Sequence, residues 1–230
     1  MATGEELNAL ERRVEERYKQ RTPKSQALFN QAKELYPDGD YRRAIFFRPY
    51  PTYMEKAQGF NIYDVEGNTY IDQNNNMMAM VLGHSHPKVA EAIQAQAVNG
   101  TTFAAPTENI VKFGTILQER IPSMERMRFA TSGSEAVMFA VRATRAFTGR
   151  TKIMKMEGAY HGTYDPIEDE SAGVPKSAYT ELVLGKYNDT EYTEQQILAH
   201  KDELACVLLS INPGDPPTED FLRMLRESTE

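Results

Sequence analysis

Phe129-Ala130-Thr131-Ser132-Gly133-Ser134-Glu135-Ala136 is the stretch on which the reading of this chain turns. A short apolar run at 127–130 enters it as a predicted strand. Helical spacing leaves it, with Ala136, Phe139, Ala140, Ala143 and Phe147 on one face. A strand that passes straight into a helix is the start of a βαβ unit.

Two readings of Ser132 to Glu135 stand side by side. In the first, Ser132 caps the helix and Glu135, three residues on, reaches back to the Ser132 amide as a capping box. In the second, Gly133 in the first turn lets a ligand approach the backbone. Free amides and the Ser134 hydroxyl then form an anion site, and a phosphate there gains from the helix dipole. The sequence contains neither Gly-x-x-x-x-Gly-Lys-Ser/Thr nor Gly-x-Gly-x-x-Gly, so nucleoside triphosphate and dinucleotide readings have no support.

Outward from this point the pattern alternates. Helices are predicted at 87–98, 107–120 and near 193–200, strands at 152–156 and 204–211, and a last helix from Thr218. The polar stretch 158–176 reads as a long loop of the kind that often carries function. Towards the N-terminus, Leu7, Leu10, Val14 and Tyr18 give 5–20 a narrow apolar stripe. A second helix is predicted from Pro23 to the stop at Pro37-Asp38-Gly39, followed by an extended or looped 40–52. Two β-prone runs, 61–65 and 69–72, flank Glu66-Gly67-Asn68 as a hairpin. The expectation is an α/β domain with a mainly parallel sheet and flanking helices over 86–230, preceded by a helix-and-hairpin segment over 1–85.

Composition narrows the function classes. The chain has 230 residues, 26 Lys and Arg against 33 Asp and Glu, and a net charge of -7, the wrong sign for a generic nucleic-acid binder. With 40% hydrophobic and 26% charged residues it reads as soluble and globular. Its apolar runs, 77–82 and 205–209, fall far short of the roughly 18 residues that a membrane span needs. The N-terminus has no basic region followed by an apolar one, so no signal peptide is expected. A single cysteine, Cys206 in an apolar strand, excludes an internal disulfide, reads as buried and inert, and fits a reducing, cytoplasmic setting. His84-Ser85-His86 has metal-like spacing without a companion carboxylate or thiolate cluster, and reads as a turn before the helix at Pro87. Gly-x-Ser-x-Gly is absent, which leaves a serine-hydrolase reading without basis.

Several motifs in order carry a resemblance. Ala130 to Ala136, then Phe147-Thr148-Gly149-Arg150-Thr151-Lys152-Ile153, then Glu157-Gly158-Ala159-Tyr160-His161-Gly162 resemble the class III aminotransferases, fold-type I pyridoxal-phosphate (PLP) enzymes. The stretch from Gly59 to Asp72 resembles the family's first hairpin, and Leu82-Gly83-His84-Ser85-His86-Pro87 its Gly-His-x-x-Pro turn. Tyr187-Asn188-Asp189 extends the likeness more weakly. Within the family the chain is most similar to glutamate-1-semialdehyde aminomutases and β-amino-acid aminotransferases.

The resemblance implies an N-terminal portion of a PLP-transferase, with an incomplete large domain. Ser132, Gly133 and Ser134 would hold the cofactor phosphate, Tyr160 would stack on the pyridine ring and His161 would lie beside it. As a bare motif, Tyr160-His161-Gly162 also reads as a surface loop with a turn glycine. Arg42 would clamp a substrate carboxylate or stand as a solvated loop arginine, with Arg43 able to take its place. The implied activity is amino-group transfer between a small-molecule donor and acceptor by a homodimer, with no nucleic acid and no membrane involved. In the family the Schiff-base lysine and the acid at the pyridinium nitrogen come later than Glu230, and Lys152 and Lys155 match other positions, so no catalytic residue is assigned here. The family's Glu-Pro after the strand at 204–211 is replaced by Ser210-Ile211-Asn212-Pro213. An unpaired sheet edge and uncovered apolar helix surface are expected. The alternative is a non-catalytic relative that binds PLP, phosphate or a partner.

Overall fold

Prolines and capping side chains open the helices of this chain, and apolar runs between them form strands. The computed structural model describes residues 4–40, 45–168, 171–211 and 214–230, with side chains from residue 8. It divides into two units, Met1–Thr107 and Glu108–Glu230.

In the first unit, α1 (Gly4–Arg21) and α2 (Pro23–Ala32) join at Thr22, with Pro23 pre-set for the first helical turn. The stripe on α1 stays in water at Leu10 and Val14, while the Tyr18 hydroxyl donates to Tyr50 O at 2.7 Å. The second helix stops at Ala32, earlier than its pattern predicts, and a separate 3₁₀ turn covers Pro37–Gly39. A three-stranded antiparallel sheet follows, β1 (Met54–Gln58), β2 (Asn61–Asp64) and β3 (Thr69–Ile71), in the order β1-β2-β3. The predicted hairpin is β2–β3. Its neighbour β1 went unpredicted because Met54-Glu55-Lys56-Ala57-Gln58 lacks β-branched residues; it is a mostly exposed edge strand.

Asp64 closes the hairpin from a fully buried position. Its carboxylate accepts from the Glu66 amide (3.1 Å), the Asn68 amide (2.7 Å), Asn68 Nδ2 (2.8 Å) and the Tyr70 hydroxyl (2.8 Å). Burial opposes its ionisation, but these donors outweigh it and hold the carboxyl below its usual range. The turn is tied to α2 by Glu66, which accepts from Ser25 N (2.6 Å) and Ser25 Oγ (2.9 Å).

Beyond β3, α3 (Asn75–Met78) is a single left-handed turn, with φ of 50°, 50°, 56° and 66° along its four residues. Then α4 (Pro87–Ala97) starts on proline as predicted. Gly59 and His84 exchange backbone hydrogen bonds of 2.9 and 2.8 Å. A Cβ on Gly83 would sit 2.9 Å from Gly59 O, which is why glycine stands there. In the His-Ser-His stretch, His84 Nε2 is 2.6 Å from Asp72 Oδ2.

The second unit holds α5 (Glu108–Arg120), α6 (Gly133–Thr148), β4 (Lys152–Met156), β5 (Leu182–Gly185), α7 (Thr190–Ala199), β6 (Leu204–Leu208) and α8 (Glu219–Ser228). Its strands run parallel in the order β5-β4-β6, which puts β4 at the centre. Met154 and Met156 face α7 and α8 through Ile197, Phe221, Met224 and Leu225, whereas Ile153 faces Val141 of α6 and Ile167. The sheet is thus covered on both faces, the arrangement that parallel strands require. Asp189 caps α7 by accepting from Tyr192 N (3.1 Å), and Thr218 caps α8 by accepting from Phe221 N (3.3 Å).

Four expectations are corrected in this unit. Residues 127–130 join no sheet; Phe129 instead stacks on Phe113 of α5 at 5.4 Å, because no described strand offers those backbone groups partners. Leu182–Gly185 is a strand the reading lacked, hidden in a four-residue apolar run without turn signals of its own. The β6 strand ends at Leu208 rather than 211. On α6 the buried position is Val141, and the predicted face is open, with Phe139 39% and Phe147 93% exposed. Both sides of α6 are apolar, so periodicity alone could not choose between them. The strand containing Cys206 places that residue half-buried beside the Val141 cluster. Among the described residues no helix is long and apolar enough to cross a membrane.

Candidate functional site

In parallel sheets ligands collect beyond the carboxyl ends of the strands. Here the loops leaving β4, β5 and β6 border an open pocket of about 410 Å³, lined by Glu157, Gly158, Ala159, Tyr160, Tyr187, Ser210 and Ile211. The Tyr187 hydroxyl donates to Ser210 O and so ties the end of β5 to the end of β6. Tyr160 is 75% exposed, its ring free to cover a ligand. A cavity of about 520 Å³ lies elsewhere, beside β6 and the end of α8, and contains none of the predicted site residues.

The N-terminus of α6 borders the same loop. Ser132 caps it, accepting from Glu135 N at 3.2 Å. The Glu135 carboxylate does not return to the Ser132 amide: it accepts from Thr131 N (2.7 Å) and Thr131 Oγ1 (2.6 Å), one residue further out, because that hydroxyl offers a second donor. The capping box is therefore displaced by one residue, and the amides of Gly133 and Ser134 have no acceptor among the described residues. A Cβ on Gly133 would meet nothing within 4 Å, so the space on the side-chain side of that residue is open.

Ser134 joins the helix to the loop. Thr163 N donates to Ser134 Oγ at 3.0 Å, which uses a lone pair and leaves the hydroxyl proton for another acceptor. Gly162 has φ +92°, and a Cβ there would lie 2.7 Å from Ser134 Cα. The path of 160–163 against α6 therefore depends on glycine. His161 sits between these contacts with Nε2 buried and without a partner among the described residues. Burial, and then the charge of Lys155, push the imidazole below its ordinary value. Lys155 is 4% exposed on β4, and its Nζ reaches Ala159 O at 3.5 Å.

The structure thus gathers Ser132, Gly133, Ser134 and His161 around one helix end, with Tyr160 on the adjoining cavity. Arg42 lies outside the described residues. Sequence reasoning missed Thr163 and Lys155. A lysine within the apolar run Ile153-Met154-Lys155-Met156 was the available signal for the latter.

Comparison with known proteins identifies the family. The family model described as aminotransferase class-III matches residues 47–197. A glutamate-1-semialdehyde 2,1-aminomutase from Methanocella arvoryzae is 37% identical over 221 residues, 89% of this chain and 52% of that protein. A solved transaminase with PLP bound is 38% identical with a TM-score of 0.86, covering 90% of this chain and 52% of that one. A β-phenylalanine aminotransferase from Variovorax paradoxus is 30% identical with a TM-score of 0.83, covering 93% of this chain and 50% of that one. The chain spans about half the length of the curated relatives it matches. On the family match and the shared fold, the chain belongs to the class-III aminotransferases.

Proposed function

We propose that this chain supplies the phosphate-holding and ring-covering part of a PLP site, in a protein that transfers or relocates an amino group on small-molecule substrates. The observation that carries this reading is the α6 N-terminus. Two amides without an acceptor among the described residues, at Gly133 and Ser134, and a hydroxyl with its proton unspent lie together at one helix end beside a parallel sheet's carboxyl end. This donor set suits a phosphate monoester, which is all acceptor at neutral pH. PLP-bound relatives of the same fold support the choice of phosphate ester.

Bound PLP supplies an electron sink that stabilises negative charge at a substrate's amino-bearing carbon. The residues of this chain bind and orient. The Gly133 and Ser134 amides and the Ser134 hydroxyl hold the phosphate, with Ser132 as the cap that fixes the helix end. Tyr160 covers the ring face by offset stacking. Arg42 would take a substrate carboxylate, and the complete protein would work as a cytoplasmic homodimer. No proton-transfer role is assigned to a residue of this chain.

The test is PLP binding to the purified chain, followed by absorbance and by competition with inorganic phosphate. Ser134→Ala should weaken binding about ten- to hundredfold, the worth of one hydrogen bond to a charged group. Gly133→Val, which fills the open space, should weaken it further. Saturable binding that neither substitution changes would refute the cradle.

A further inference from the structure

The order β5-β4-β6 puts the loops of the two outer strands on either side of the end of β4, and two consecutive residues after β5 join them. Tyr187 donates through its hydroxyl to Ser210 O, where the segment leaving β6 begins. Asn188 holds the far end of that segment. Its Nδ2 donates to Asp215 Oδ1 at 2.9 Å and to Pro216 O at 3.2 Å, while its Oδ1 accepts from Thr218 N at 2.8 Å. Three of the four hydrogen bonds open to a carboxamide are thus spent on 215–218. The backbone of Asn188 has φ 56°, a left-handed conformation that asparagine tolerates better than most side chains. That turn sends the chain into α7, whose cap is the next residue, Asp189.

We propose that Asn188 is a positioning residue for the ring end of the cofactor: it holds the segment after β6 so that Ser210 and Ile211 form a set wall of the pocket that Tyr160 borders. This rests on the PLP reading above. Ile211 is largely exposed, so packing against the core does little to hold it. Only three residues separate it from Asp215, and a tether at Asp215 therefore limits where Ile211 can go. A wall already in place spares the ligand the cost of ordering it on binding. The two parts of the site divide the ligand between them. The cradle at Ser132, Gly133 and Ser134 takes the phosphate, and none of the residues that Asn188 ties belongs to it.

The experiment measures three quantities in the purified chain: PLP affinity by absorbance, the inorganic phosphate constant by competition, and amide hydrogen exchange over 209–218. Asn188→Gly keeps the left-handed backbone and removes the carboxamide. It should speed exchange over 209–218, weaken PLP about tenfold and leave the phosphate constant within about twofold. Ser134→Ala should instead weaken both ligands. Asn188→Asp combined with Asp215→Asn swaps donor and acceptor across the same gap and keeps an acceptor for Thr218 N. This double variant should bring PLP affinity back to within about threefold of the parent. Circular dichroism checks that each variant folds. Equal losses of PLP and phosphate affinity in Asn188→Gly, no loss of either, or unchanged exchange over 209–218 overturns the positioning role. A folded double variant as weak as Asn188→Gly overturns it too. PLP binding that Asn188→Gly weakens and Ser134→Ala leaves untouched keeps the wall and overturns the cradle, while a parent chain that binds no PLP overturns both.

Discussion

Replacing Gly162 with alanine tests whether the loop after β4 and the N-terminus of α6 are one structure. The backbone there has φ +92°, where a Cβ costs about 1 kcal/mol relative to glycine. The added Cβ would also stand 2.7 Å from Ser134 Cα, a backbone atom that cannot swing aside. Relief requires the loop to lift, which breaks the Thr163 N to Ser134 Oγ bond, worth about 1 kcal/mol, or the core below to strain by about 1–3 kcal/mol. Gly162→Ala should therefore lower stability by about 2–4 kcal/mol. Gly158→Ala is the control: its φ is +70°, but nothing lies within 4 Å of its Cβ position, so it should show only the backbone cost of about 1 kcal/mol. Urea unfolding of the three chains reads the difference directly, and PLP titration should show a larger loss for Gly162→Ala. Equal effects of the two substitutions on both readouts would refute the contact between loop and helix.

Further outcomes are expected at Asp64 and on the open face of α6. Asp64→Ala leaves the Glu66 and Asn68 amides, Asn68 Nδ2 and the Tyr70 hydroxyl without their acceptor, and should cost about 2–4 kcal/mol in urea unfolding. Because the folded-state pKa of Asp64 is lowered, its stabilisation is complete above the unfolded carboxylate range and is lost as pH falls through the folded value; in Asp64→Asn that acid-side loss should shrink. The open apolar face of α6, with Phe139 and Phe147, and the exposed Ile110, Val111, Phe113 and Ile116 of α5 should make the isolated chain associate with rising concentration in sedimentation velocity. Phe147→Lys should reduce that association.

What could be read from the sequence was what local chemistry decides. Pro23, Pro87 and Thr218 marked helix starts, Ser132 marked a cap, and Glu66-Gly67-Asn68 marked a hairpin, since each acts within a few residues of itself. The strand over Lys152–Met156 was legible because burial on both faces demands a mainly apolar run, interrupted here only by Lys155. Pairing is a property of neighbours, and there the reading failed: 127–130 has strand composition without a strand beside it, and β1 has a strand beside it without strand composition. The site shows the same division. Gly133 and Ser134 stood out as residues that capping leaves unexplained. The Gly162–Ser134 approach joins positions 28 residues apart, and the contact of Lys155 with Ala159 O depends on a turn whose path only the fold supplies.

That path has a consequence for how the site can change. Gly158 and Gly162 bracket the Ala159-Tyr160-His161 segment, one at each end, and both need positive φ. The frame of the loop therefore resides in its two glycines and in the lysine beneath it, and the side chains at 160 and 161 ride on that frame without shaping it. Substitutions at those two positions can alter what the loop presents to a ligand while its backbone stays in place. The chemistry at the surface of the turn and the course of the turn are thus separable, open to variation one residue at a time.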